Sequence, residues 1–117
     1  MTMTYEQIND MIGSVGLPYA YDHFDKDDVN RPAGPPFIAF LYPQNNDPVF
    51  DDRNYVQIEQ LVIELYTDNK DFDHETAIED VLNANDLPFD KDCTYLDDEH
   101  MYMTTYTTEV CINGSRN

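Results

Sequence analysis

Apolar positions along the chain recur with two periods. From Thr4 a helical stripe appears, with Tyr5, Ile8, Ile12 and Val15 three or four residues apart. Thr4-x-x-Gln7 in front of it is a capping-box pattern, and Gly13, Gly16 and Pro18 stop it. The spacing predicts a helix over about residues 4–14 that packs its stripe into a core. Tyr19–Phe24 reads as a strand, and Asp25–Pro35 as a long polar loop without a period. Pro36–Pro43 is a second strand, apolar from Phe37 to Tyr42 and bracketed by prolines that a central ladder excludes. After a second polar loop, Gln44–Asn54, comes the longest strand-like run, Tyr55–Tyr66, expected antiparallel to 37–42. Val56 and Ile58 alternate there with Gln57 and Glu59. Further on, both faces turn apolar: Leu61, Ile63 and Leu65 on one, Val62 and Tyr66 on the other.

Thr67–Asp73 is a polar turn into a second helix, with Asp71 or Asp73 as N-cap and Ala77, Ile78, Val81 and Leu82 on its buried face. Leu87-Pro88 closes that region. Residues 89–96 and 101–112 form a hairpin about Asp97–His100, in a register that sets Tyr95 opposite Tyr102 and Cys93 opposite Thr104. Residues 113–117 read as a flexible tail. The predicted order is α-β-β-β-α-β-β. This is one α+β domain over 1–117, with a mainly antiparallel sheet and two helices on one face.

Two short helices cover one face of a sheet, and strands 37–42 and 61–66 ask for cover on both. The missing cover is most simply another copy of the chain. The candidate subunit interface is therefore Phe37, Phe40, Tyr42, Leu61, Val62, Ile63, Leu65 and Tyr66. The polar first half of the long strand (Gln57, Glu59 and Gln60) is expected to reach solvent or an assembly edge.

Charge changes the picture. In 117 residues there are 24 acids and six bases, a net charge of −18. That argues against simple nucleic-acid binding and against attraction to anionic membranes. Most of the acids are Asp, a turn residue, so the charge is expected in loops, with Asp25, Asp27, Asp28, Asp47, Asp51 and Asp52 as the candidate acidic surface. The balance fits plain solubility, a surface that DNA slides past, a mimic of DNA, or a partner with a basic face. Two cysteines, Cys93 and Cys111, are too few for a disulfide scaffold and read as small buried apolar residues. With no leader pattern and no long apolar run, the chain reads as soluble and made in the cytoplasm.

Sites of chemistry are harder to find. His74-Glu75-Thr76-Ala77-Ile78 lacks the second histidine of a zinc-protease helix, so His74 reads as an exposed first-turn residue. The Asp-rich stretches starting at Asp68 and Asp71 miss the ligand positions of a calcium loop. Carboxylate pairs occur by chance among 24 acids, and the four glycines are scattered rather than gathered into a phosphate loop. No catalytic residue, metal site or cofactor site is assigned, and the chain reads as non-enzymatic.

Four stretches carry a resemblance: G-L-P-Y-A-Y-D-H-F (16–24), P-P-F-I-A-F-L-Y-P (35–43), L-V-I-E-L-Y-T-D-N-K-D (61–71) and Y-M-T-T-Y-T-T-E-V (102–110). With them the chain resembles, over residues 5 to 112, small proteins encoded among the head–tail joining and tail genes of long-tailed phages and prophages of Gram-positive bacteria. It looks like the tail-terminator class. The resemblance implies an α+β subunit of a virion ring, typically of six copies, that caps the tail tube and meets the head connector. Its partners would be other copies of itself, the tube protein and the connector protein. DNA would pass without specific binding, and no membrane or cofactor is involved. The chain departs from the pattern in its Asp-rich loops, 25–35 and 44–54. The alternative reading is an acidic, DNA-mimicking inhibitor of a host defence or nucleic-acid-binding enzyme.

Overall fold

The computed structural model describes residues 2–47, 49–50, 53–54 and 57–113. The expected flexible tail and the strand start at Tyr55 and Val56 fall largely or wholly outside these residues. Helix α1 (Tyr5–Gly13) begins at Thr4, whose Oγ1 accepts from the Gln7 amide at 3.0 Å while the Gln7 Oε1 accepts from the Thr4 amide at 2.9 Å. The capping box is complete, and Gly16 leaves the helix at a φ of 92° that a side chain would disfavour. Helix α2 (Phe72–Ala84) is capped by Asp71, which accepts from the His74 amide at 3.1 Å and contacts the His74 Nδ1 at 2.6 Å. His74 is accordingly half-buried rather than exposed.

Among the described residues ten elements follow one another: β1 (Thr2–Met3), α1, β2 (Tyr19–Tyr21), β3 (Phe37–Leu41), β4 (Val49–Phe50), β5 (Arg53–Asn54), β6 (Ile58–Thr67), α2, β7 (Asp90–Leu96) and β8 (Met101–Ile112). The main sheet has six strands in the order β1-β8-β6-β3-β2, with β7 also on β8, while β4 and β5 form a separate pair. β3–β6, β6–β8 and β7–β8 are antiparallel, whereas β1–β8 and β2–β3 are parallel. The sheet is therefore mixed, and the predicted element order lacks β1, β4 and β5. Two-residue strands carry no periodicity to read. The parallel β2–β3 pair exists because the long segment 22–36 lets the chain cross back and run in the same direction. β2 is also shorter than predicted, since Asp22 takes a left-handed φ of 67° and ends it.

Alternation along the sheet splits its residues between two faces. Ile38, Leu65 and Thr104 lie in one row, and Phe40, Ile63 and Tyr106 in the next. This face is buried together with Ile8, Met11 and Ile12 of α1 and Ile78 and Leu82 of α2 in one apolar cluster. The Tyr106 hydroxyl, under α2, donates to the Glu79 Oε2 at 2.8 Å and lies 3.3 Å from the Glu75 carbonyl oxygen. The Tyr5 hydroxyl reaches the Glu59 Oε1 at 3.4 Å from α1. Both helices thus lie on the same face, as predicted. Ala77 and Val81 are only half-buried at the margin of α2.

Candidate interaction face

Among the described residues, no helix lies over the opposite face of the sheet. Its members are Phe37, Ala39 and Leu41 of β3, then Ile58, Gln60, Val62, Glu64 and Tyr66 of β6, then Met103, Thr105, Thr107 and Glu109 of β8, and finally Asp90, Asp92 and Thr94 of β7. All five β6 residues on it are half-buried, while Glu59, Leu61, Ile63, Leu65 and Thr67 between them are buried. At the β3 end, Phe37 stacks on Tyr66 with ring centroids 4.9 Å apart and meets Phe24 edge-on at 5.9 Å. Part of the loop after β2 folds over that end, and Arg31, Pro35, Phe37, Ala39 and Tyr66 line a shallow cleft there of about 380 Å³.

Polarity grades across this face. The β3–β6 side is apolar and aromatic, the β8 strip carries Thr105 and Thr107, and the β7 edge carries Asp90 and Asp92. Glu64 and Glu109 add two more acids, and among the described residues of these four strands' open side there is no Lys or Arg. The Tyr66 hydroxyl donates to the Glu64 Oε1 at 2.9 Å. Burial, then that bond, pushes its pKa well above the ordinary phenol value, so it stays a neutral donor.

The covered face contains the molecule's dense ion cluster. Glu75 is buried at 2% exposure, which decides that its charge must be compensated inside the fold. Lys70 and Lys91 each approach it at 2.8 Å, and Lys91 also meets Glu79 at 2.7 Å. Burial opposes the Glu75 charge, but bonds from the two lysines outweigh it and hold the carboxyl below its ordinary range. Both lysines are raised, first by their bond to Glu75. At neutral pH all four groups are therefore charged and paired, and the cluster ties α2 to the β7–β8 hairpin.

The predicted interface residues separate on this frame. Phe40, Leu61, Ile63 and Leu65 are buried in the chain's own core. Tyr42 lies beyond β3, packed edge-on against Tyr5 at 5.3 Å and stacked on Tyr21 at 5.7 Å. Phe37, Val62 and Tyr66 occupy the open face. The reason is parity: adjacent strand residues point to opposite faces, so an apolar run supplies two surfaces rather than one. Glu59, expected in solvent, is buried and accepts from the Asn45 Nδ2 at 3.0 Å as well as from Tyr5.

Of the acidic residues, Asp25, Asp27 and Asp28 are exposed, with Asp25 against the His23 Nε2 at 3.0 Å. Asp47 is half-buried, and its Oδ1 accepts from the Ile58 amide at 2.6 Å, which makes it a brace for the start of β6. Asp51 and Asp52 lie outside the described residues. Cys93 is exposed and Cys111 half-buried, contrary to the expectation of two buried thiols, because β7 has no layer over it. Sequence reasoning also missed Ala39, Leu41, Ile58 and Met103 on the open face. The β3–β6 and β6–β8 registers would have revealed them. It missed the Glu75 cluster too, although Glu75 and Glu79 stand one helical turn apart.

Among the described residues, no group of three or more His, Cys, Asp or Glu side chains could hold a metal ion, and no helix is long and apolar enough to cross a membrane. The arrangement defines a two-layer α+β unit with one face of its sheet sealed and the other half-open. No protein-family model matches the chain, and no curated protein matches it. Among solved structures its fold is similar to that of a chain described as "Virion of native gene transfer agent (GTA) particle". The TM-score is 0.57 at 15% identity, over 89% of this chain and 84% of that one. The two share a fold.

Proposed function

We infer that the chain is a structural virion subunit, a tail terminator or related head–tail joining protein, which assembles with copies of itself through the open face of its sheet. The observation that carries this is β6. Its covered residues are spent on the core, yet Val62 and Tyr66, with Phe37 and Leu41 beside them, keep an apolar surface on the far side. The fold shared with a virion chain supports the same reading. The family resemblance adds a ring, typically of six copies, that caps the tail tube and receives the head connector. Acids in the 25–28 loop would suit a DNA passage, since like charge keeps the phosphate backbone from adhering. The role is one of assembly rather than catalysis.

Light scattering behind size exclusion at physiological salt tests this directly. A ring-sized species is expected from the native chain and a monomer from Val62→Asp. A native chain that stays strictly monomeric and binds neither tail tubes nor connector components would overturn the reading.

A further inference from the structure

On one side the sheet ends in a strand with nothing beyond it. β7 pairs with β8 along one edge, and among the described residues no strand pairs with the other. Asp90 through Tyr95 are all exposed and Leu96 is half-buried, and α2 meets the strand through the ion pairs of Lys91. A free edge of this kind is a row of backbone N–H and C=O groups spaced to receive another strand. Protected edges are short, bulged, covered, or carry charged side chains or Pro, and β7 carries charge in its first half, at Asp90, Lys91 and Asp92. This one runs for seven residues, stays in unbroken register with β8 and lacks charge from Cys93 to Leu96.

Charge selects the occupant. Asp90 and Asp92 border the first half of the edge, and the turn past Leu96 adds exposed Asp97, Asp98 and Glu99. Lys91 does not offset them, because Glu75 and Glu79 hold it on the other face at 2.8 and 2.7 Å. A second copy of the chain paired here edge to edge would set the same acidic border, Asp90 and Asp92, against this one. We propose that the free edge of β7 receives an extended, Lys- or Arg-bearing segment of another protein as an added strand. Backbone pairing supplies the affinity, and alternate cationic side chains of the segment meet Asp90 and Asp92. The inference is distinct from the ring, since it uses the unpaired backbone edge of β7 rather than the Phe37–Tyr66 surface of the open face.

The test titrates the full ¹⁵N-labelled chain with three probes: an acetylated heptapeptide alternating Lys and Val, the same peptide N-methylated at every amide, and a version with Glu for Lys. Amide signals of residues 90–96 are expected to shift with the first probe, and their hydrogen exchange to slow by about tenfold or more. The methylated peptide keeps its charge but is expected to bind at least about tenfold more weakly, and the Glu peptide not at all. Asp90→Asn with Asp92→Asn is expected to weaken the Lys peptide several-fold while β7–β8 contacts persist in the spectrum. Equal binding of the methylated peptide would overturn the proposal, as would shifts confined to Phe37 and Tyr66. Absence of binding at millimolar peptide would do the same. So would protection of β7 that grows with protein concentration alone, because a second copy would then hold the edge.

Discussion

Glu59, Leu61, Ile63, Leu65 and Thr67 are buried, while Ile58, Gln60, Val62, Glu64 and Tyr66, interleaved with them in the same strand, stay half-exposed. The two sets share backbone and composition class, yet they differ in what stands above them. Two helices and a matched set of aliphatic side chains press on the first set. Above the second, a loop reaches only the Phe37–Tyr66 end. Apolar content therefore does not by itself assign a residue to the core. The element that covers it does.

Four substitutions separate the faces. Leu61→Asp buries an unpaired charge at a site with no exposure and is expected to cost more than about 4 kcal/mol. The cooperative thermal transition seen by circular dichroism should disappear or fall far below that of the native chain. Glu75→Gln removes the charge that Lys70 and Lys91 were arranged around, at about 1–3 kcal/mol near neutral pH. Because the folded carboxyl sits below its ordinary pKa, its contribution is complete above the ordinary carboxylate range and is lost as pH falls through the folded value. Denaturant melts of the two proteins should differ at pH 7 and converge on acidification. A gap that stays constant with pH would show that Glu75 acts through packing alone. Thr4→Ala opens the capping box that seats α1 on the covered face and should cost about 1 kcal/mol, read as a lower urea midpoint with an unchanged slope. Val62→Asp should change monomer stability least, by less than about 1 kcal/mol, because the site is half-open. If it unfolds the monomer as Leu61→Asp does, the contrast between the faces is wrong.

Much of the fold was legible where periodicity was long. The capping box at Thr4 and the Asp71 cap are both present, as are the 37–41 with 58–67 antiparallel pair and the hairpin register of Tyr95 with Tyr102. What escaped was set by partners distant in sequence. Nothing near Thr2 and Met3 announces that they pair with Cys111 and Ile112. Glu59 looks solvated until Tyr5 and Asn45 are brought to it. The eight candidate interface residues divided because burial on a two-sided strand depends on which helices land on which side. Phe40, Leu61, Ile63 and Leu65 met theirs, and Phe37, Val62 and Tyr66 did not.

β8 pairs with β6, β7 and β1, and it follows all of them along the chain. During synthesis, then, the sheet cannot close early. While only residues up to about 100 have emerged, β1 and β7 have no ladder to join and one edge of β6 is bare. The nascent chain must carry an exposed apolar strand until residues 101–112 arrive, and pairing as distant in sequence as Thr2 with Cys111 makes that closure slow. Ribosome-bound chains that hold residues 101–112 inside the exit tunnel should be more protease-sensitive than chains in which that segment has emerged.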